Sequence, residues 1–154
     1  HGAFAGCETN KKGTNAMLKL EWLDTFELGV PEIDGEHRTM LDLMKAVQLA
    51  VAARDRKHGE QYLDRLLAFS RSHFAREETL LEGWGYPDTA KHANYHAKLL
   101  ERAIALKQVC AEIESAEAFE ECCKEMMSFL VDDVVRGDLN LKSFLEDAGL
   151  VLPL

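Results

Sequence analysis

Apolar residues recur with the 3.6-residue period of an α-helix in four separate blocks of the chain. In the first, Asp34 is a candidate N-cap, Gly35 and Glu36 open the helix, and it runs to about Arg56. Its inward stripe is Met40, Leu41, Met44, Val47 and Val51, and His37 falls on the same line. The second, from about Glu60 to Glu82, turns Leu63, Leu66, Leu67, Phe74 and Leu81 inward, with His73 and Glu77 continuing the stripe until Gly83 and Gly85 end it. The third follows Pro87, takes Asp88 or Thr89 as its cap and reaches about Ser115. Its inward face begins with His92, Tyr95 and His96 and continues through Leu99, Ala103, Leu106 and Cys110. The fourth covers about Ala116 to Arg136, with Phe119, Cys123, Met126 and Leu130 inward, and a short helix near Leu141–Asp147 follows. Ahead of these blocks, Gly29 and Pro31 interrupt any helix, so LKLEWLDTFELGVPEID reads as an arm carrying Trp22, Phe26 and Val30 over a core. The pattern predicts an all-α fold: an antiparallel up-down four-helix bundle with an N-terminal arm and a short C-terminal helix.

Residues 1–16 show no periodicity and read as a disordered leader or a vector-derived remnant, residues 17–148 as the folded domain, and residues 149–154 as an apolar tail. A length of 154 residues suits one domain with a real core. The net charge of −9 argues against nucleic acid or an anionic membrane as partner, and no apolar run approaches the roughly 20 residues of a membrane span. Four cysteines (Cys7, Cys110, Cys122 and Cys123) do not make a disulfide framework in a chain of this size, so reduced thiols in a cytoplasmic setting are expected. There is no phosphate-binding glycine loop and no recognisable nucleophile, so the sequence offers no catalytic residue and leaves open whether the domain is an enzyme.

The chemistry concentrates in HFAREETLLEGWGYPDTAKHANYH, His73 to His96. His73 and Glu77 stand four apart, as do His92 and His96, with a Gly/Pro break between the pairs. Residues i and i+4 share a helix face, so each pair can aim two donors at one point on facing helices. Imidazole nitrogen with carboxylate oxygen suits a first-row transition metal, and a carboxylate can bridge two ions. A single histidine such as His37 is more often a hydrogen-bonded core residue. Glu77 weighs against that reading here, because an unpaired buried carboxylate is costly and a metal ion removes the cost. Glu78, a quarter-turn away, is expected in solvent.

The stretch WLDTFELGVPEIDGEH, then HF-x-x-EE, then GYP-x4-H-x3-H resembles the bacterial hemerythrins over about Leu20 to Leu145. The resemblance implies a four-helix bundle holding two iron ions in an oxo- or hydroxo-bridged non-haem di-iron centre that binds dioxygen reversibly. By position it implies His37 and His73 on one iron, His92 and His96 on the other, and Glu77 between them. The fourth helix departs from the pattern. Where the family has His-Ile-x-x-x-Asp, this chain reads Asp133-Val134-Val135-Arg136-Gly137-Asp138. Asp138 matches the bridging aspartate and Asp133 stands in place of the histidine. Asp133 is three residues after Leu130 and seven after Met126, which puts it on the inward face, while Asp132 falls on the polar side.

An aspartate in place of a neutral imidazole adds negative charge and a hard oxygen donor, which favours ferric iron. That suits an oxygen or redox sensor, responding to dioxygen or nitric oxide, better than a carrier. With the apolar tail, it suggests a module linked to a missing output domain of a longer signalling protein. A free-standing dioxygen carrier or store, and a di-iron oxidase or peroxidase, are the alternatives.

Overall fold

The computed structural model describes residues 20–132 and 137–152, without the side chains of residues 138 and 139. The expected leader (residues 1–16) therefore lies outside the described residues. A 3-10 turn at Asp24–Phe26 precedes five helices: α1 (Pro31–Ala52), α2 (Arg56–Gly83), α3 (Thr89–Ala111), α4 (Ala116–Asp132) and α5 (Asp138–Asp147). α1 packs on α2 and α4, and α3 on α2 and α4, which is the ring of neighbours of a four-helix bundle.

The four inward stripes meet in one core. Met40, Met44, Val47, Leu66, Ala103, Met126, Met127 and Leu130 are all fully buried. A tight turn connects α1 and α2. Arg54 takes a left-handed conformation (φ 61°) at the α1–α2 corner, and Asp55 caps α2 by accepting from the His58 amide at 3.2 Å. Gly59 sits where a Cβ would meet Val51 Cγ2 at 2.9 Å, so its lack of a side chain sets how closely α1 and α2 approach. Arg56 reaches across to the end of α3, donating to the carbonyls of Cys110 (3.3 Å), Ala111 (3.1 Å) and Ile113, with its guanidinium over the Phe119 ring. Ser115 opens α4, its hydroxyl accepting from the Ala118 amide.

A second, smaller cluster lies at the other end of the bundle. Leu28 and Ile33 from the arm and the start of α1 meet Leu81 of α2 and Leu141 and Leu145 of α5. Val151 packs beside them, its Cβ 3.2 Å from where a side chain on Gly29 (φ +87°) would begin. Asp34, expected as a helix cap, does something else. Pro31 starts the helix, because its fixed φ and missing N–H suit the first turn, and this places Asp34 inside that turn. Its buried carboxylate accepts from the amides of Leu28 (2.8 Å) and Gly29 (3.1 Å), tying the arm back onto α1.

The cysteines correct another expectation. Cys110 near the end of α3 and Cys122 on α4 form a disulfide, with Cα atoms 5.7 Å apart, and Cys123 is a buried free thiol. Cys110 lies on the expected inward stripe and Cys122 beside that of its helix, both are buried, and bundle packing brings them within bridging distance although 12 positions separate them. The argument from reduced thiols to a cytoplasmic setting therefore falls away. Among the described residues, no helix is long and apolar enough to cross a membrane.

Candidate metal centre

His37 of α1, His73 and Glu77 of α2, and His92 and His96 of α3 converge between the main core and the smaller cluster. His37, His73, Glu77 and His96 are at most 2% exposed, and the side chain of His92 is 10% exposed. The i, i+4 spacing stacks His73 over Glu77 and His92 over His96. The turn from Trp84 to Asp88, with Gly85 at φ +72°, reverses the chain so that the two pairs face each other.

The Glu77 carboxylate sits in the middle and divides its oxygens. Oε2 lies 3.0 Å from His73 Nε2 and 3.7 Å from His37 Nε2. Oε1 lies 2.7 Å from His92 Nε2 and 3.6 Å from His96 Nε2. The Nε2 atoms of His37 and His73 are 3.0 Å apart. Two groups result, His37–His73–Glu77 and Glu77–His92–His96, each with one donor atom per residue within 4.8 Å of the others. Either group could hold a metal ion, and they share Glu77. Two imidazoles and a carboxylate per group form the mixed nitrogen and oxygen donor set that iron accepts, so the residues present fit that metal.

The electrostatics suit a buried cation. Burial pushes the Glu77 carboxyl up, but hydrogen bonds from His37, His73 and His92 overcome this and hold it well below the usual range, as an anion. Burial works against a charged His73, and its bonds to Glu77 and Glu36 reverse that and raise it. His96 goes the other way. Burial, only partly offset by Glu77 and reinforced by the neighbouring histidines, lowers it to about 3, so it stays a neutral donor. The Phe74 ring stacks on His96, centroids 4.0 Å apart and planes within 13°, and fixes the imidazole plane.

Two carboxylates outside the expected set touch these rings. Glu36 accepts from His73 Nδ1 at 3.0 Å and is gripped by Arg76 Nε and Nη2, each at 2.6 Å. Glu78 lies 3.1 Å from His96 Nδ1 and is only 30% exposed, so the expectation of a solvated Glu78 is corrected. Their only signal in the sequence was adjacency, Glu36 before His37 and Glu78 after Glu77. A quarter-turn offset that points away from its own helix's stripe can point at the neighbouring helix. Tyr95, expected inward, is 39% exposed, because the third face is narrower than its period suggested. Asp132, expected in solvent, is half-buried. Asp133 lies outside the described residues, as does the side chain of Asp138.

Three helices of the bundle gathering four imidazoles around one shared buried carboxylate define a cation-binding helical domain. The chain belongs to the hemerythrin family: the model of the hemerythrin HHE cation binding domain matches residues 28–143. Its relatives include a bacteriohemerythrin of Stenotrophomonas maltophilia, 27% identical over 79% of this chain and 78% of that protein. Another, from Pseudomonas aeruginosa, is 24% identical over 88% of this chain and 81% of its own length. One from Methylococcus capsulatus is 27% identical, covering 79% and 93%.

Proposed function

We propose that the two groups form a di-iron centre. His37 and His73 hold one ion, His92 and His96 the other, and Glu77 bridges them, with Asp133 and Asp138 as further ligands by the family resemblance. The centre binds dioxygen or nitric oxide and acts as an oxygen and redox sensor. The observation that supports this best is the division of Glu77, one oxygen toward each imidazole pair. Ferrous iron would supply there the electrons that reversible dioxygen binding draws on. The chain's own contribution is to bury four imidazoles around one anion and to keep water out with Phe74 and the smaller apolar cluster. A surface cavity of about 310 Å³ beside His92, lined also by Tyr86, Lys91, Tyr95 and Asn140, offers a diatomic ligand a short approach.

The sensor role, in a module of a longer signalling protein, rests on Asp133. An anion in place of a neutral imidazole stabilises the ferric state and shortens the life of a dioxygen complex. Iron analysis with optical spectra of the reduced, oxidised and air-exposed protein tests the reading. About two irons per chain are expected, and Glu77→Ala should lose one or both. Iron-free protein after reconstitution, or undiminished iron in Glu77→Ala, would overturn it. Amide exchange that differs between ferrous and ferric protein supports sensing, and identical exchange favours a carrier or store.

A further inference from the structure

Glu36 and Glu78 stand behind the imidazoles, not among the donors that converge on Glu77. Each meets the Nδ1 of a ring whose Nε2 points at Glu77: Glu36 behind His73 at 3.0 Å, Glu78 behind His96 at 3.1 Å. A neutral imidazole carries one proton. An acceptor at Nδ1 keeps the proton there and leaves the Nε2 lone pair for a cation. The two carboxylates are shared out, one to each metal group, since His73 belongs to one and His96 to the other.

Their surroundings differ in charge. Arg76 holds both oxygens of Glu36, so that carboxylate is anchored and neutralised. Glu78 meets His96 and, among the described residues, has no arginine or lysine gripping it, so its negative charge is brought to the back of that ring. A carboxylate behind a ligating imidazole fixes its orientation and raises its basicity.

We propose that Glu36, anchored by Arg76, and Glu78 are positioning residues, one for each metal ion. Glu36 acts through geometry, and Glu78 through geometry and charge. The inference rests on the reading of the two groups as a two-ion centre. Zinc, which is redox-silent, tests it by calorimetric titration of the metal-stripped full chain.

Glu36→Ala is expected to weaken one of two zinc-binding events by about 10–100-fold and leave the other in place. Glu36→Gln, whose amide oxygen still accepts from Nδ1, should restore most of the loss. Glu78→Ala should weaken the other event by a similar factor, and Glu78→Gln should restore only part, because the charge is gone. The double alanine variant should be weak in both. Circular dichroism melting of the metal-free variants should match the parent. If the parent binds two zinc ions and the alanine variants bind equally tightly, the positioning role falls and the two-ion centre stands. Glutamine variants as weak as the alanine ones, or metal-free melting that drops in step with affinity, would make these residues structural and also overturn the role. A parent that binds no zinc removes the two-ion reading itself.

Discussion

Breaking the Cys110–Cys122 disulfide is the perturbation whose size the fold defines most directly. The bridge closes a loop of 12 positions that contains the whole α3–α4 turn. In the chain-entropy description, a cross-link over that separation destabilises the unfolded state by roughly 3 kcal/mol near room temperature. This is an upper figure, because residual structure in the reduced, unfolded chain lessens the entropy that the bridge removes. With a urea dependence of about 1–3 kcal/mol per molar for a small domain, the midpoint should fall by at most about 1–3 M on reduction. Urea titrations of the metal-free protein with and without a reductant measure this directly. A Cys110→Ala/Cys122→Ala variant should start at the reduced midpoint and ignore the reductant. The number of reactive thiols in the denatured chain should rise by two when it is reduced first. Equal thiol numbers before and after reduction, or an unmoved midpoint, would refute the argument.

Four other outcomes follow from single side chains. Phe74→Ala removes a fully buried ring and its stack on His96, so it should cost about 3–5 kcal/mol in urea unfolding, and a loss below about 1 kcal/mol would contradict the packing. Asp34→Ala leaves the buried amide of Leu28 and the part-buried amide of Gly29 without their acceptor, costing about 1–3 kcal/mol and speeding hydrogen exchange at those two positions. Burial raises the Cys123 thiol from near 9 to about 11, so the folded chain keeps a proton that the unfolded chain loses across that window. Stability should therefore fall as pH rises through it, by at most about 1.4 kcal/mol per unit, and Cys123→Ala should lessen the fall. Asp133→His, which exchanges an anion for a neutral donor, should raise the iron reduction potential in a spectroelectrochemical titration, and an unchanged potential would remove Asp133 from the proposed donor set.

The helices were legible because burial imposes a period on each of them. Met40, Met44, Val47, Leu66, Met126 and Leu130 could be placed inward from spacing alone, and His73, Glu77, His92 and His96 from the i, i+4 rule. What escaped is what depends on a second helix. Asp34 looked like a cap because its local context suits one, but its partners are amides of the arm, set by where Pro31 starts α1. The Cys110–Cys122 pairing needs the distance between two packed helices, which no one-dimensional pattern carries. Glu78 looked solvated from its own helix and is half-covered by the neighbouring one. Helix ends moved for local reasons: α2 begins at Arg56, earlier than its first apolar residue, because Asp55 caps it.

The smaller apolar cluster has a kinetic consequence. Every neighbouring pair in the four-helix ring except α1 with α4 joins helices adjacent in sequence, so most of the bundle can form by local docking. Leu28 and Ile33 meet Leu141 and Leu145 across more than a hundred positions, a long loop to close. This end is therefore the last to assemble and, held by only a few apolar side chains, the first to open from the native state. The imidazoles and Glu77 lie just beneath it. Partial opening at Leu141 and Leu145 would give an ion a way in and out while the main core stays folded, so metal exchange should be much faster than global unfolding.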